Sequence, residues 1–362
     1  MVVKVGTRLD AGRCKRGAYE TRSRLWWSGR ALTGPDYWNA VGTLVGMLLP
    51  LGLYYGICVA WLCVYWTPAG WVVLAVSLPL SITVLVSFVL ATSDDPGIIP
   101  KQSVAPPSMQ GNEHVMREQT VLINDTQVVV KYCETCRHWR PPRAIHCNVC
   151  NNCVERFDHH CPWLGNCVGR RNYRSFFIFV SSTTVMLMLA IAMSAVQLVE
   201  NTRRFQRIMP ELSSGEAFRE ALGFWGSGAL LVLMLYCFLG LAFAGGLTGF
   251  HLYLMWRNLT TNEFVKHTYG KHNETNPFPE RGPYAIWVRV TERKTHSKIK
   301  ARYGGPDTDF DVEALVLNKL APEKISAPIK LEHANGVQLL GADQETIVNS
   351  RGGQQAPSEI AH

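Results

Sequence analysis

Four long segments without a charged side chain constrain this 362-residue chain more than any other feature. They cover residues 41–66, 70–91, 175–199 and 226–256, and the last contains a single imidazole, His251. Each exceeds the roughly 20 apolar residues that a helix needs to cross the hydrocarbon core of a bilayer. Core helices of a large soluble protein are the alternative, but four uncharged runs of this length are hard to bury. We therefore expect four transmembrane helices.

The distribution of lysine and arginine predicts the orientation of these helices. Eight basic residues precede the first helix, ten lie in 92–174 and fourteen follow the fourth helix, against four in the loop 200–225. Basic loops face the cytosol, so both termini and the central segment are expected there. The net charge of +8 is accounted for by anionic lipid headgroups and does not require nucleic acid. The N-terminal segment has no early apolar core, so a cleavable signal peptide is not expected.

The expected fold is an all-α polytopic membrane protein with a cytosolic, cysteine-rich zinc-binding domain of short β-hairpins between helices 2 and 3. One hairpin is predicted around Asn124 and Asp125, which separate two β-branched runs. A short amphipathic helix is predicted at 309–320, and we expect no internal repeat. The predicted segments are a basic arm (1–36), helices 1 and 2 (37–91), the cysteine-rich domain (92–174), helices 3 and 4 with a lumenal loop at 200–225 (175–256), a membrane-proximal tail (257–303) and a weakly ordered extension (304–362).

Seven of the eleven cysteines lie within 35 residues of the central segment. A disulfide framework is one interpretation, but the cytosol is reducing. Pairs with C-x2-C spacing recur, which is the spacing of zinc knuckles, and thiolates with imidazoles favour zinc. The candidate ligands are Cys133, Cys136, Cys147, Cys150, Cys153, Cys161, Cys167, His138, His146, His159 and His160.

Two closed zinc sites need eight ligands. Six cysteines and two histidines would fill them, which leaves one cysteine and two histidines over. Pro162 disfavours a helical conformation at Cys161. If the segment is extended, His159 and Cys161 face one way and His160 faces the other. His160 can then bind a metal while His159 reaches toward the Cys161 thiol.

A cysteine outside zinc can serve as a nucleophile when a base lies beside it. Asp158, His159 and Cys161 have the residue types of an orienting carboxylate, a base and a nucleophile, although Asp158 needs a local turn to contact His159. A zinc module that only binds proteins remains the alternative at this point. A transporter would need more polar or ionisable residues within its spans than this chain has.

The stretch "RPPRAIHCNVCNNCVERFDHHCPWLGNCVGRRNYRSFF", from Arg140 to Phe177, resembles the cysteine-rich domain of the DHHC family of protein S-acyltransferases, the palmitoyltransferases. The resemblance extends to "DPG" at Asp95–Gly97 and to "TTNE" at Thr260–Glu263. It also covers the placement of the cysteines between the second and third helices. Residues 1–36 and those beyond about 300 are not covered.

The resemblance implies two interleaved zinc sites, formed by Cys133, Cys136, His146 and Cys153 and by Cys147, Cys150, His160 and Cys167. It also implies that Cys161 is the nucleophile, His159 its base and Asp158 the orienting carboxylate. The acyl donor is expected to be a long-chain acyl-CoA such as palmitoyl-CoA, with Arg140, Arg143 and Trp163 as candidate binding residues. A solvated role for the two arginines is the alternative. His138 is expected at the surface, and His251 at the membrane interface near "TTNE".

The same resemblance predicts the partners. Acceptors are expected to be cysteines of membrane-associated proteins, and "TTNE" points to the branch that acts on Ras-like GTPases with an accessory subunit. Some of those relatives carry tail cysteines, whereas this chain has none after Cys237. The expected location is the endoplasmic reticulum or Golgi membrane.

Overall fold

The computed structural model of the chain describes residues 12–13, 21–27, 30–102, 117–269, 276–278 and 281–292. The predicted helix at 309–320 and most of the predicted N-terminal arm lie outside these residues.

Within the described residues, four helical segments are long and apolar enough to cross a membrane, which confirms the predicted number. A π-helical turn at Tyr54–Val59 joins the first two helices into one segment. In chain order the helices up to the end of the fourth span are α1 (Tyr37–Leu53), α2 (Ala60–Tyr65), α3 (Ala69–Ser93), α4 (Tyr173–Ile208), α5 (Ser214–Gly223) and α6 (Ser227–Trp256).

A proline inside α1 leaves one backbone carbonyl without its helical partner. Pro50 has no N–H group, so the carbonyl of Gly46 cannot accept the usual bond from four residues later. The Tyr236 hydroxyl of α6 donates a hydrogen bond to that carbonyl at 2.8 Å. An unsatisfied carbonyl within a bilayer costs several kcal/mol, so this bond both satisfies the backbone and ties α1 to α6.

The predicted loop at 200–225 is mostly helical. Helix α4 continues beyond its apolar part to Ile208 and ends before Pro210, because a residue that precedes proline disfavours the helical conformation. Helix α5 begins after Ser213, whose side chain and that of Glu216 form a reciprocal capping box.

The strands are short and lie almost entirely around the cysteines. They are β1 (Gly12–Arg13), β2 (Arg24–Trp26), β3 (Ala31–Thr33), β4 (Ile98–Ile99), β5 (Glu118–Ile123), β6 (Thr126–Cys133), β7 (His138–Trp139), β8 (Ile145–Cys147), β9 (Asn152–Val154), β10 (His159–Cys161) and β11 (Asn166–Val168). The sheet orders are β1-β2-β3, β4-β9-β8, β5-β6-β7 and β10-β11.

The predicted hairpin is confirmed by the antiparallel pairing of β5 and β6, in which Ile123 is opposite Thr126. Asn124 and Asp125 between them have φ values of 46° and 61°. Tight two-residue turns favour Asn and Asp because both central residues adopt positive φ.

Buried asparagines fasten the cysteine-rich region to the ends of the helices. The side-chain amide of Asn166 donates to the carbonyls of Thr92 and Asp94 at the end of α3, at 3.0 and 3.1 Å. The amide of Asn172, which precedes α4, donates to the carbonyls of Ala91 and Cys167 at 3.0 and 2.8 Å. These bonds fix the cysteine-rich region at one end of the helical bundle.

Two further helices follow α6 and lie beside the cysteine-rich region. Helix α7 comprises Thr261–Val265 and helix α8 comprises Pro283–Thr291. Ile286 and Val290 of α8 pack against the apolar cluster that also contains Cys161. The C-terminal segment therefore completes the surroundings of the cysteine-rich region.

Candidate active site

The first predicted zinc set converges on one point. The Nδ1 atom of His146 lies 3.5 Å from Sγ of Cys133, 3.4 Å from Sγ of Cys136 and 3.8 Å from Sγ of Cys153. Tetrahedral zinc, with bonds of about 2.3 Å to sulfur and about 2.0–2.1 Å to nitrogen, places such atoms about 3.6 Å apart. The structure thus brings together four donors whose chemistry and spacing fit a closed structural zinc site.

The second predicted set has the same geometry. The Nδ1 atom of His160 lies 3.8, 3.4 and 3.5 Å from the Sγ atoms of Cys147, Cys150 and Cys167, respectively. Its other ring nitrogen, Nε2, is 3.1 Å from a carboxylate oxygen of Asp36, just before α1. A carboxylate on the second nitrogen commonly orients a metal-binding histidine. Asp36 was not predicted from the sequence as part of this site.

The two sets are successive copies of one pattern, so the expectation of no internal repeat is wrong. Cys147 follows Cys133 by 14 residues, and the same offset relates the other three ligand pairs. The hairpins repeat as well, because His146 pairs with Cys153 across β8 and β9, and His160 pairs with Cys167 across β10 and β11. The residues between the ligands differ, which is why the repeat is inconspicuous in the sequence.

The same offset places Cys161 at the first position of a third, incomplete copy. Its partner position holds Leu164, where the earlier copies have Cys136 and Cys150. The backbone is nevertheless the same: the residue after each of these three positions has a positive φ, of 57° at Arg137, 55° at Asn151 and 60° at Gly165. Cys161 therefore lies in a knuckle that lacks a second thiolate.

His138, Asn152 and Asn166 occupy one repeat position, because they pair with Cys133, Cys147 and Cys161. All three are buried. The expectation that His138 lies at the surface is therefore wrong. Its Nδ1 atom is 3.0 Å from the carbonyl oxygen of Trp139.

The extended conformation predicted for "DHHC" is present in β10, and it separates the two histidines. His160 points to the second zinc set, whereas His159 points to Asp158, whose Oδ2 atom is 2.8 Å from His159 Nδ1. Nδ1 is thereby committed to the carboxylate, and Nε2 remains for the Cys161 thiol, whose proximity raises the pKa of His159. The structure thus brings the three predicted catalytic residues into contact.

Electrostatics in this group favour a charged His159. Burial opposes the ionisation of Asp158, but hydrogen bonds and charge from His159 outweigh burial and hold the pKa of Asp158 below its ordinary value. Burial likewise opposes the protonation of His159, but its hydrogen bonds with Asp158 and Cys161 raise its pKa to about 9. At neutral pH the imidazole can therefore accept and hold the proton of the thiol.

The "TTNE" segment holds the Asp158 carboxylate in place. The Thr261 hydroxyl donates to Asp158 Oδ2 at 2.6 Å, and the Thr261 N–H donates to Oδ1 at 3.0 Å. Thr260 caps α7 with Glu263 in a capping box. Glu263 also forms a buried, bidentate ion pair with Arg143, with two N···O distances of 2.7 Å. The motif thus links the C-terminal segment to the cysteine-rich region.

His251 also belongs to this site, which the sequence analysis missed. Its side chain is buried at 1% exposure, and its Nδ1 atom is 3.0 Å from the Tyr173 hydroxyl. One polar atom from each of Asp158, His159 and His251 lies within 4.8 Å of the others. The signal that could have found it is a lone imidazole in an otherwise uncharged span, since ionisable groups within spans are usually functional.

The three predicted acyl-CoA-binding residues lie in different surroundings. Trp163 is 59% exposed and contacts Phe243 edge to face. Arg140 is half-buried, and its Nε donates to the carbonyl of Lys131 at 3.4 Å. The Arg143 side chain is only 6% exposed in its ion pair with Glu263, and this pairing disfavours the predicted contact with a CoA phosphate.

An apolar cavity of about 860 Å³ opens beside Cys161 and runs between the helices. Trp163 and Asn39 line it near Cys161, whereas Tyr54, Ser81 and Leu233 line it deeper in the bundle. Such cavities of several hundred Å³ with few polar groups are typical of sites for small apolar ligands.

The class of protein that these features define is a membrane-associated one, in which two sets of residues could hold zinc and a cysteine beside a His-Asp pair lines an apolar cavity. Residues 128–268 match the sequence model of the family described as DHHC palmitoyltransferase. Residues 128–268 are therefore a DHHC palmitoyltransferase domain, which confirms the resemblance seen in the sequence for this part of the chain.

Named relatives agree with this assignment. The chain is 39% identical over 254 residues to "Protein S-acyltransferase 8" of Arabidopsis thaliana, across 66% of this chain and 60% of the relative. It is 34% identical over 281 residues to "Palmitoyltransferase ZDHHC14" of Danio rerio, across 71% and 54%. It is 34% identical over 283 residues to "Palmitoyltransferase erf2" of Emericella nidulans, across 73% and 44%. The chain thus spans about half the length of the curated relatives it matches.

Proposed function

We propose that this chain is a protein S-acyltransferase, which moves a long-chain acyl group such as palmitoyl from acyl-CoA to cysteine thiols of membrane-associated proteins. The observation that carries the proposal is the position of Cys161. It is the one cysteine between residues 133 and 167, all of which are described, that lies outside both zinc sets. It also contacts His159 and lines the apolar cavity.

In the first step, His159 accepts the proton of Cys161 and the thiolate attacks the carbonyl carbon of the acyl-CoA thioester. The bond between Sγ and the acyl carbon forms, and the bond between that carbon and the sulfur of CoA breaks. The departing CoA thiolate takes the proton from His159. Asp158 stabilises the imidazolium while the proton is held, as the carboxylate does in other catalytic triads.

In the second step, an acceptor cysteine gives its proton to His159 and its sulfur attacks the acyl carbon. Cys161 leaves as the thiolate, and the acceptor carries the new thioester. The zinc sets, which fit structural zinc, contribute to the folding of the hairpins that hold these groups. The Tyr54 and Leu233 end of the cavity lies within the bundle, so the acyl chain would be housed among the helices.

We further propose that both termini and residues 92–174 face the cytosol, since basic residues are concentrated there. The zinc sets then lie where soluble acyl-CoA and substrate proteins meet the membrane surface. Lipidation at this surface anchors the product. Ras-like GTPases are the proposed substrate class, with an accessory subunit, in the endoplasmic reticulum or Golgi membrane; the "TTNE" segment supports this choice.

Turnover on a peptide tests the proposed activity. The purified chain in detergent is incubated with palmitoyl-CoA and a membrane-anchored peptide that contains one cysteine. We expect hydroxylamine-sensitive palmitoyl on the peptide over several turnovers, none with Cys161→Ser, and wild-type transfer with the control Cys58→Ser, a buried span residue. Equal transfer by the wild-type chain and Cys161→Ser would contradict the assignment of Cys161 as the nucleophile. No transfer by zinc-loaded wild-type protein would favour a non-catalytic adaptor.

A further inference from the structure

A buried ladder of polar side chains lies behind His159, from three helices that the sequence does not bring together. Arg289 of α8 lies over the ring of Tyr173, the first residue of α4, with its Cζ atom 4.2 Å from the ring centroid. The Tyr173 hydroxyl contacts Nδ1 of His251 in α6 at 3.0 Å. The His251 ring in turn lies 6.0 Å from the ring of His159, centroid to centroid. A series of ring and hydrogen-bond contacts thus runs from α8 to His159.

Apolar rings fix the orientation of His251. Phe176 packs edge to face against it at a centroid distance of 4.9 Å, and Phe250 does so at 5.6 Å. Phe176 also contacts the ring of His159 at 5.3 Å. The His159 ring is therefore held at one edge by Asp158 and on another side by Phe176 and His251, which leaves Nε2 directed to Cys161.

The hydrogen bond with Tyr173 determines what His251 can offer to the site. When Tyr173 donates to Nδ1, the proton of the neutral ring resides on Nε2. A guanidinium over the phenol ring is attracted by its π face and, in a buried setting, polarises the hydroxyl toward donation. A neutral His251 then adds no positive charge beside His159, which must itself accept a proton during catalysis.

Burying an imidazole among apolar side chains is costly unless its polar atoms are satisfied. A phenylalanine would pack against Phe176 and Phe250 at lower cost. The polar atoms of His251 are instead placed within 4.8 Å of those of Asp158 and His159. Pairing with the Tyr173 hydroxyl offsets part of this cost, and the proximity to Asp158 and His159 points to a further role at His159.

We propose that His251, fixed by Tyr173 beneath Arg289, is a positioning residue that holds the His159 base in line with Cys161 and couples helix α8 to the active site. This inference rests on the proposed acyl transfer. Misplacing a reacting group by about 1 Å can reduce rates by about 100-fold. We therefore expect a loss of about 10- to 100-fold when the ladder is broken, with little change in acyl-CoA binding.

The test uses the full chain and three substitutions. His251→Phe keeps the packing and removes the polar atoms, Tyr173→Phe removes only the hydroxyl, and His251→Gln keeps a hydrogen-bond acceptor for Tyr173. Thr248→Val is the matched control, because it breaks the bond of Thr248 to Thr184 between the same two helices, α6 and α4. The readouts are zinc content, thermal unfolding, single-turnover acylation of Cys161 against palmitoyl-CoA concentration, and alkylation of Cys161 by iodoacetamide followed by peptide mass spectrometry.

We expect both phenylalanine variants to retain two zinc ions and a palmitoyl-CoA half-saturation concentration within about twofold of wild type. Their maximal acylation and alkylation rates should fall together, His251→Gln should recover part of the loss, and Thr248→Val should match wild type. Wild-type rates in folded Tyr173→Phe, or a raised half-saturation concentration with an unchanged maximal rate, overturn the proposal. If the wild-type chain forms no acyl-enzyme, the proposed function fails, while the alkylation rates still decide whether His251 positions His159.

Discussion

At position 164 a leucine occupies the place that a zinc-binding cysteine holds in the two preceding copies of the knuckle. Leu164 is fully buried in the apolar cluster that includes Cys161 and Phe176. A structural zinc site needs four ligands, and this third knuckle offers one thiol. Cys161 is therefore available for chemistry, although it has the same backbone setting as Cys133 and Cys147.

Alanine substitutions at the two adjacent histidines should have different effects on zinc content and on acylation rate. His160→Ala removes a ligand and should lower the zinc content and disturb the fold. His159→Ala should keep both zinc ions but slow acylation by roughly 10²- to 10⁴-fold, the usual contribution of a general base. Raising the pH should restore part of that rate, because more of the thiol ionises without help. Metal analysis and single-turnover acylation check this. Zinc loss in His159→Ala with retention in His160→Ala would reverse the assignment.

Alternation along an extended strand was sufficient to predict which histidine faces the metal and which faces Cys161. It could not place His251 or assign a task to Thr261. Both reach Asp158 and His159 only because α6 and α7 return to the cysteine-rich region, and a single sequence carries no record of that contact. Arg143 is the opposite case. Its position beside the zinc ligands suggested a contact with a CoA phosphate, but its guanidinium is paired with Glu263.

At the scale of elements, the cysteine-rich region is a cap that joins the helix ends on one side of the bundle. Asp36 before α1 contacts His160, Asn166 bonds to the end of α3, and Thr261 after α6 bonds to Asp158. Gly34 and Gly165 allow the backbones to meet, because a Cβ on either would collide with the other segment. Helix number and the β5–β6 hairpin followed from composition and turn residues, whereas the extent of α4 and the helix α5 did not.

The connection between α4 and α5 gives a test of orientation. If the zinc sets face the cytosol, this connection lies in the lumen, so an N-glycosylation sequon inserted after Glu211 should be modified in cells when it clears the bilayer. The native sequons at Asn124 and Asn273 should stay unmodified. A glycosidase-sensitive mass on either of them would contradict the topology. Asn258 is a poor reporter, since it is buried against Arg143.

At the scale of the whole molecule, the helices, the knuckles and the C-terminal segment all contribute to the surroundings of the Cys161 thiol. The helices enclose the apolar cavity, the two complete knuckles build the scaffold that presents the third, and the C-terminal segment holds Asp158 through Thr261. The candidate zinc ligands were predictable as a group because the C-x2-C spacing is local, whereas their division into two sets followed from the family resemblance. The cavity was not, because it depends on how α1, α3, α4 and α6 pack.

Native mass spectrometry of the intact chain after incubation with palmitoyl-CoA decides whether Cys161 is a nucleophile outside the zinc sets, because it counts zinc ions and acyl groups on the same molecule. We expect two zinc ions and one hydroxylamine-sensitive acyl group at Cys161 for wild type. Cys161→Ser should carry two zinc ions and no acyl group, and Cys147→Ala should lose zinc and acylation together. An acylated wild-type chain with one zinc ion or none, or a thioester-linked acyl group on Cys161→Ser, would contradict it.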